Sequence, residues 1–247
     1  MRGSCKILID GRFVSYQRKG AGKDLLLLHG YGSCKESFYF QTEFLSKFFC
    51  VTAVDFPCFG CSEGSGEPWA VGDYAAWLKK FIYAAKLNCP RIIAHSFGAR
   101  VAFKLLCENA DIADKLVITG GAGLVKPRSA QYMRRVKAYR RLKKLFPKFA
   151  ERHFGSEEYK KLSPVMKESY KKIVNEDLSA CAAKITNATL LVYGANDTVT
   201  PPDEEGATFH SLIAGSRLEI IENGGHFCFS EKPEQFNDIV LKFLTEN

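Results

Sequence analysis

The chain has 247 residues, of which 46% are hydrophobic and 25% are charged. A chain of this length buries one sizeable core, and these proportions exclude a disordered or fibrous protein. The formal net charge is +8, but nine lysines and arginines without an acidic residue lie between Lys126 and Lys144, and the rest is nearly balanced. No recognised nucleic-acid-binding module accompanies this charge, so we expect no nucleic-acid partner.

The first ten positions lack the apolar run of a signal peptide, and no stretch approaches the roughly 18 apolar residues of a membrane span. We therefore expect a cytoplasmic protein with no integral membrane association. The nine cysteines are odd in number and have no histidine spacing typical of zinc sites. A cytoplasmic location favours reduced thiols, and we expect neither a metal nor a cofactor.

The N-terminus predicts a β-hairpin. Two β-like runs, Ile7–Ile9 and Phe13–Tyr16, flank the dipeptide Asp10-Gly11. A two-residue Asp-Gly connection between such runs is typical of a tight hairpin turn, so we expect an antiparallel edge to the sheet.

Six apolar runs rich in Leu, Ile and Val predict parallel strands, because continuously apolar strands are typical of sheets covered on both faces. They are Leu25–Leu28, Val51–Val54, Arg91–Ala94, Leu116–Thr119, Thr189–Tyr193 and Arg217–Ile221. Helical patterns lie at Glu36–Phe48, Tyr74–Ala85, Phe97–Glu108 and Pro233–Leu244. This alternation predicts an α/β fold with a doubly wound, mostly parallel sheet.

One interval between strands is too long for a single helix. The strand starts at 116 and 189 are 73 residues apart, whereas the other intervals are 25 to 40 residues. Because long structureless loops are rare in compact domains, we expect a helical lid at 121–188, inserted into a core of 1–120 and 189–247. Its predicted helices are Ser129–Phe146, Ser156–Leu162 and Pro164–Asn175.

The basic run between Lys126 and Lys144 predicts an amphipathic helix, because its apolar residues recur every three or four positions. The interpretation we favour is a lid helix with one packed face and one solvated face. Attraction of an anionic substrate and transient membrane contact are the alternatives.

Ser96 is the candidate nucleophile. It follows the strand Arg91–Ala94 and directly precedes a predicted helix, as in a nucleophile elbow, whose sharp turn exposes the serine hydroxyl. The turn requires small residues two positions before and after the serine, and Ala94 and Gly98 occupy them. The usual pattern is GxSxG, so Ala94 is a departure, by one methyl group. The alternative is that Ser96 merely caps a helix.

Asp197 and His226 favour the catalytic interpretation of Ser96. A serine needs an imidazole to remove its proton, and the imidazole needs a carboxylate to fix its tautomer. Asp197 follows the fifth parallel strand and His226 the sixth, at the ends where loops of an α/β sheet converge. The order Ser, Asp, His is that of this fold, and none of the other four histidines has such a position.

Two backbone amides are candidates for an oxyanion hole. One such donor is typically the residue after the nucleophile, here Phe97, and the other comes from the loop after the first central strand. In that loop Tyr31 follows His29-Gly30, and Gly30 and Gly32 allow a close approach to the site, although a plain glycine turn is the alternative.

Together these segments resemble the α/β-hydrolase family over nearly the whole chain outside 121–188. The matching segments are His29-Gly30, Asp55 to Ser62, the elbow around Ser96, Gly194 to Asp197, and Gly225-His226. The second of these commonly reads DxPGxGxS in the family, so Cys58 departs from a usual glycine. The resemblance implies an α/β-hydrolase fold and a catalytic triad of Ser96, Asp197 and His226.

The resemblance implies a serine hydrolase whose partner is a small-molecule substrate. We favour a carboxylic ester or related acyl compound, because an aspartate at the elbow would be needed for dehalogenase or epoxide-hydrolase chemistry. A carbon–carbon bond hydrolase of a diketone-like substrate is the enzymatic alternative, and a ligand-binding receptor that turns over slowly is the nonenzymatic one. The fold alone does not choose among them.

Overall fold

The computed structural model describes residues 4–125, 134 and 162–246. In this part of the chain, eight strands form one sheet in the order β1-β2-β4-β3-β5-β6-β7-β8. They are β1 (Ser4–Ile9), β2 (Arg12–Lys19), β3 (Asp24–Leu28), β4 (Cys50–Val54), β5 (Arg91–His95), β6 (Lys115–Thr119), β7 (Ala188–Gly194) and β8 (Arg217–Ile221). All six predicted parallel strands are present, and they run parallel to their neighbours from β4 to β8.

The predicted N-terminal hairpin is confirmed. β1 and β2 pair antiparallel with Ile9 opposite Arg12, and β2 then pairs antiparallel with β4. The connecting residues Asp10 and Gly11 have φ values of 49° and 76°. A type I′ turn requires positive φ at both positions, which explains why an Asp-Gly pair occupies this turn.

Helices flank the sheet. They are α1 (Tyr39–Leu45), α2 (Val71–Ala84), α3 (Phe97–Leu106), α4 (Pro164–Val174), α5 (Ser179–Ala182), α6 (Ala207–Leu212), α7 (Cys228–Glu231) and α8 (Pro233–Thr245). The predicted helix Glu36–Phe48 is shorter than expected. A 3₁₀ turn, Lys35–Phe38, precedes α1, and α1 ends at Leu45, before β4 begins at Cys50. In contrast, α2 begins before the predicted Tyr74, because the Asp73 carboxylate caps its first turn by accepting from the Ala70 amide.

Alternate residues of the central strands belong to two different core layers. In β3, Leu26 and Leu28 pack with the layer that contains α2 and α3. Leu25 and Leu27 pack with the other layer, which includes buried residues of α1 and α8. Helices therefore cover both faces, as a doubly wound sheet requires.

The expectation of burial on both faces is wrong for β8. Its residues Arg217, Glu219 and Ile220 are exposed, and only Ile221 is buried. Among the described strands, β8 is the last and pairs only with β7, so its outer edge and much of its surface are exposed to solvent in the described part of the chain. Continuous burial is a property of the inner strands such as β5 and β6, whose residues are all buried.

The insertion between β6 and β7 is described in part. The predicted helix Pro164–Asn175 is confirmed as α4, which begins with Ser163 accepting from the Met166 amide. The predicted helices Ser129–Phe146 and Ser156–Leu162, with the basic run, lie outside the described residues apart from Arg134 and Leu162. None of the helices in the described ranges has the length and apolar character of a membrane span.

Candidate active site

Ser96 lies at a strained turn between β5 and α3. Its φ is 50° and its ψ is −105°, a conformation that a residue with a side chain adopts only when its surroundings impose it. Its amide donates to Thr119 O of the neighbouring strand at 3.2 Å. A Cβ atom at Gly98 would lie 2.4 Å from Leu28 O, so no larger residue fits where α3 crosses β3. Ala94 is fully buried, and its methyl group is accommodated in this turn.

The structure brings the predicted base and carboxylate together. His226 Nδ1 lies 2.8 Å from Asp197 Oδ2, and Asp197 is buried. The other carboxylate oxygen, Oδ1, accepts from the amides of Val199 at 2.8 Å and Thr200 at 2.9 Å. The carboxylate is therefore fixed from both sides, and it can hold a proton on the Nδ1 atom of His226.

The surroundings of Asp197 keep it ionised. Burial alone would raise the pKa of this carboxyl group, but hydrogen bonds from His226 and Thr200 outweigh burial. The resulting pKa is below the ordinary aspartate value. An ionised Asp197 is the form that orients the imidazole and stabilises its positive charge.

Within the described residues, the hydrogen bonds of the His226 ring are to Asp197 and Thr200 and not to Ser96. The ring of His95, the residue before Ser96, lies 4.7 Å from the His226 ring between centroids. In unliganded enzymes the contact between nucleophile and base is often long and shortens in the substrate complex.

Both predicted oxyanion residues lie beside Ser96. Phe97 is the first residue of α3, and the first-turn amides of a helix lack an acceptor within the helix. A Cβ atom at Gly30 would lie 3.5 Å from Ser96 Cβ, so the loop that carries Tyr31 reaches the serine. The Tyr31 phenol donates to Met166 O of α4 at 2.9 Å, which connects this loop to the insertion.

His29 supports the same loop as a neutral histidine. Its Nε2 accepts from the Phe56 amide at 3.1 Å, so its proton is on Nδ1, which donates to Gly30 O at 2.7 Å. Burial is the main cause that lowers its pKa to about 4. Both nitrogens are engaged, which agrees with the expectation that His29 does not compete with His226. Elsewhere, His210 contacts Ser216, and His153 lies outside the described residues.

The loop after β4 is built around the buried carboxylate of Asp55. This carboxylate accepts from the Lys35 amide at 2.7 Å and from Lys35 Nζ at 2.8 Å. Gly60 has a φ of 53°, and a Cβ atom there would lie about 2.4 Å from the carboxylate. The glycine is therefore required by close approach as well as by backbone conformation.

Cys58 lies in a backbone turn at which the α/β-hydrolase family, which this chain resembles, commonly has a glycine. Its φ is 74°, a value that favours glycine. The Cys58 thiol accepts from the Ser65 amide at 3.1 Å, which is a contact that glycine would lack. The departure at this position therefore alters the side-chain contacts of the loop without changing its left-handed backbone.

Thr200 and His95 contact the predicted triad and were not identified as site residues from the sequence. Thr200 Oγ1 donates to Asp197 Oδ2 at 2.8 Å and lies 3.2 Å from His226 Nδ1. His95 Nε2 lies 3.0 Å from His226 O. The only sequence signal for Thr200 was its position three residues after Asp197, where a hydroxyl can bind back to the carboxylate in a turn.

Comparison with known proteins places the chain in a family. The family described as "Alpha/beta hydrolase family" matches residues 25–239. The chain belongs to the α/β-hydrolase family. The match extends from β3 into α8 and therefore includes all three predicted triad residues of this α/β hydrolase.

The relatives of this α/β hydrolase include enzymes of different specificity. An (E)-2-((N-methylformamido)methylene)succinate hydrolase from Acinetobacter baylyi is 23% identical over 96% of each chain. A pimeloyl-[acyl-carrier protein] methyl ester esterase from Neisseria meningitidis is 25% identical over 91% of this chain and 93% of its own. The solved structure of a meta-cleavage product hydrolase from Pseudomonas fluorescens has a TM-score of 0.75 and 20% identity, with 97% of each chain covered.

None of the nine cysteines of this α/β hydrolase, all of which lie in the described ranges, is in a disulfide bond. Cys228 is the buried one among them. Burial raises the pKa of the Cys228 thiol to about 11, so this residue stays protonated near the site. Within the described ranges, no group of three or more His, Cys, Asp or Glu side chains could hold a metal ion.

We expect Thr200→Val to lower kcat of this α/β hydrolase about tenfold, because the hydroxyl donates to the Asp197 carboxylate and a hydrogen bond to a charged group contributes about 1.5–3 kcal/mol. Thr200→Ser is the matched control and should retain most activity.

The lowered pKa of Asp197 also affects stability. Ionised Asp197 stabilises the fold at pH values above the ordinary aspartate pKa, and this contribution disappears as pH falls through the folded-state pKa. On acidification, Thr200→Val should therefore lose thermal stability at a higher pH than Thr200→Ser does. Equal kcat values and equal pH profiles of thermal stability for the two variants would contradict this prediction.

Proposed function

We propose that this α/β hydrolase is a serine hydrolase that cleaves a small-molecule carboxylic ester or related acyl compound. The nucleophile is Ser96, the general base is His226, and Asp197 orients and stabilises the imidazole. The observation that carries the proposal is the 2.8 Å contact between His226 Nδ1 and Asp197 Oδ2, beside a serine at a strained strand-to-helix turn. This combination supplies both an activated nucleophile and the base that activates it.

The proposed reaction has two halves. Ser96 Oγ attacks the ester carbonyl carbon and gives its proton to His226 Nε2, while the amides of Phe97 and Tyr31 stabilise the oxyanion. The carbon–oxygen bond to the alcohol then breaks, and His226 protonates the departing oxygen. Water attacks the acyl-enzyme with His226 again as base, which releases the acid and restores Ser96.

Two alternatives use the same residues. A carbon–carbon bond hydrolase of a diketone-like substrate would employ the same triad, and a receptor of this fold would bind its ligand with slow turnover. Esters are favoured because one of the relatives is named as a methyl ester esterase and aligns over 91% of this chain at 25% identity. A serine rather than an aspartate at position 96 argues against a carboxylate nucleophile.

Turnover of short p-nitrophenyl esters, combined with mass spectrometry of the quenched enzyme, tests the proposal. We expect multiple turnovers and an acyl adduct on the peptide that contains Ser96. Fluorophosphonate labelling of Ser96 without ester turnover would support the receptor alternative. Cleavage of a vinylogous diketone with no ester turnover would support the carbon–carbon hydrolase.

We also propose that residues 121–188 form a lid over Ser96 that selects the substrate. The contacts of Tyr31 with Met166 and of Arg100 with two carbonyl groups support this, because they connect the insertion to the elements that carry the predicted site. Arg100 Nη1 donates to Ile173 O at 3.0 Å and to Glu176 O at 2.9 Å, at the C-terminal end of α4. The helix that follows Ser96, α3, thereby contacts the insertion.

Charge reversal in the basic run between Lys126 and Lys144 tests whether the proposed lid attracts an anionic substrate. We expect Arg134, Arg135 and Arg141 changed together to glutamate to weaken turnover of an anionic ester severalfold at low salt. A neutral ester should be turned over nearly as before, because steering acts on charge and is screened by salt.

The matched control changes three exposed lysines, Lys23, Lys47 and Lys232, to glutamate, since this alters the net charge by the same amount elsewhere on the chain. We expect this control to affect both esters little. Equal losses for the two triple variants would assign the effect to net charge, and equal losses for the two esters would exclude steering. The basic run would then be only the solvated face of an amphipathic helix.

A further inference from the structure

His95 joins the serine turn to the histidine loop. It is the residue directly before Ser96, and it is buried. Its Nε2 atom lies 3.0 Å from the backbone oxygen of His226. Its ring also packs on the rings of Phe227 and Phe229, with centroids 5.0 Å and 4.9 Å away. One side chain therefore contacts three residues of the segment that presents the base.

The hydrogen bond fixes the tautomer of His95. A backbone carbonyl only accepts, so the proton of the contact belongs to His95 Nε2. Burial is the main cause that lowers the His95 pKa to about 3, so the ring is neutral and Nδ1 carries no proton. Nδ1 faces Gly30, where a Cβ atom would lie only 2.7 Å away. The glycine of the oxyanion loop therefore makes room for the His95 ring.

The loop that carries His226 contains backbone hydrogen bonds from the Gly224 amide to Ile221 O at 3.2 Å and from the Cys228 amide to Gly225 O at 3.1 Å. Gly224 and Gly225 precede His226, and a Cβ atom at Gly194 would lie 2.3 Å from Gly224 O, so the loop presses against the end of β7. Asp197 holds the His226 ring at Nδ1, whereas His95 holds the backbone of the same residue. These two contacts hold His226 at two different atoms, one in its ring and one in its backbone.

We propose that His95 is a positioning residue that sets the separation between Ser96 and His226 through its hydrogen bond to the His226 backbone oxygen. This inference rests on the proposed function, because the separation affects activity only if Ser96 and His226 exchange a proton. A displacement of about 1 Å from the reactive geometry can lower a rate about 100-fold. His95 does not touch substrate, so its removal should lower kcat and leave KM nearly unchanged.

Glutamine and methionine at position 95 form a matched pair for the test. The glutamine amide nitrogen occupies about the position of imidazole Nε2 and can donate to His226 O, whereas methionine has a similar length and no donor. We expect His95→Gln to retain kcat for a p-nitrophenyl ester within about threefold. His95→Met should lose about 10- to 100-fold in kcat with KM within about twofold.

His95→Asn is the second variant, because its shorter amide is a donor that cannot reach the carbonyl, and it should resemble methionine. Thermal unfolding of each variant separates positioning from folding, and the kinetic comparison uses only variants that are folded at the assay temperature. Equal kcat values for the glutamine variant and the folded methionine or asparagine variant would overturn the inference. Absence of ester turnover by the unchanged enzyme would instead overturn the proposed function.

Discussion

Ser96→Ala should abolish nearly all hydrolysis while the protein remains folded. The side chain is half-exposed at the turn, so its loss leaves no cavity in the core. The backbone contacts of the turn, including the bond from the Ser96 amide to Thr119, do not involve the hydroxyl. We expect kcat to fall by a factor on the order of 10⁵ to 10⁶, as measured by ester turnover at saturating substrate.

His226→Ala should produce a loss of similar size, and the double variant should lose little more. Residues that act as one unit show this non-additivity, because the nucleophile is inactive without its base. Ser211→Ala, at an exposed serine on α6, is a control that should keep full activity. Half the original activity in Ser96→Ala would exclude Ser96 as the nucleophile, and additive losses would exclude a shared step.

The sequence was sufficient to predict which chain segments meet at the site. Ser96, Asp197 and His226 each follow a parallel strand, and the carboxyl ends of β5, β7 and β8 lie at one edge of the sheet. Strand ends are readable because apolar runs stop abruptly at polar or glycine residues. Convergence therefore follows from topology, and the 2.8 Å contact between Asp197 and His226 agrees with it.

The sequence could not identify the contacts between those segments. His95 occupies the unspecified position of the elbow pattern, and its partner is a backbone oxygen 131 residues away. Backbone acceptors leave no signature in a sequence, because every residue carries one. The strand β8 illustrates a second limit: its apolar run is also compatible with an inner strand, and its exposure follows from its place at the sheet edge.

Asp197→Asn should lower kcat by a factor of roughly 10⁴ without unfolding the protein. The amides of Val199 and Thr200 both donate to Oδ1, so the single oxygen of asparagine must take that position. Its amide nitrogen then occupies the Oδ2 position, 2.8 Å from His226 Nδ1, and donates where the carboxylate accepted. His226 is forced to carry its proton on Nε2, the atom that must receive the proton of Ser96.

Asparagine has the shape of aspartate and keeps the contacts with the amides of Val199 and Thr200. We therefore expect the midpoint temperature of thermal unfolding to change little although kcat falls. Asp203→Asn, at an exposed carboxylate in the following turn, is the matched control and should keep full activity. More than a tenth of the original kcat in Asp197→Asn would contradict the role of Asp197. A loss confined to KM would do so as well, since an imposed tautomer blocks proton transfer in the bound complex rather than the binding of substrate.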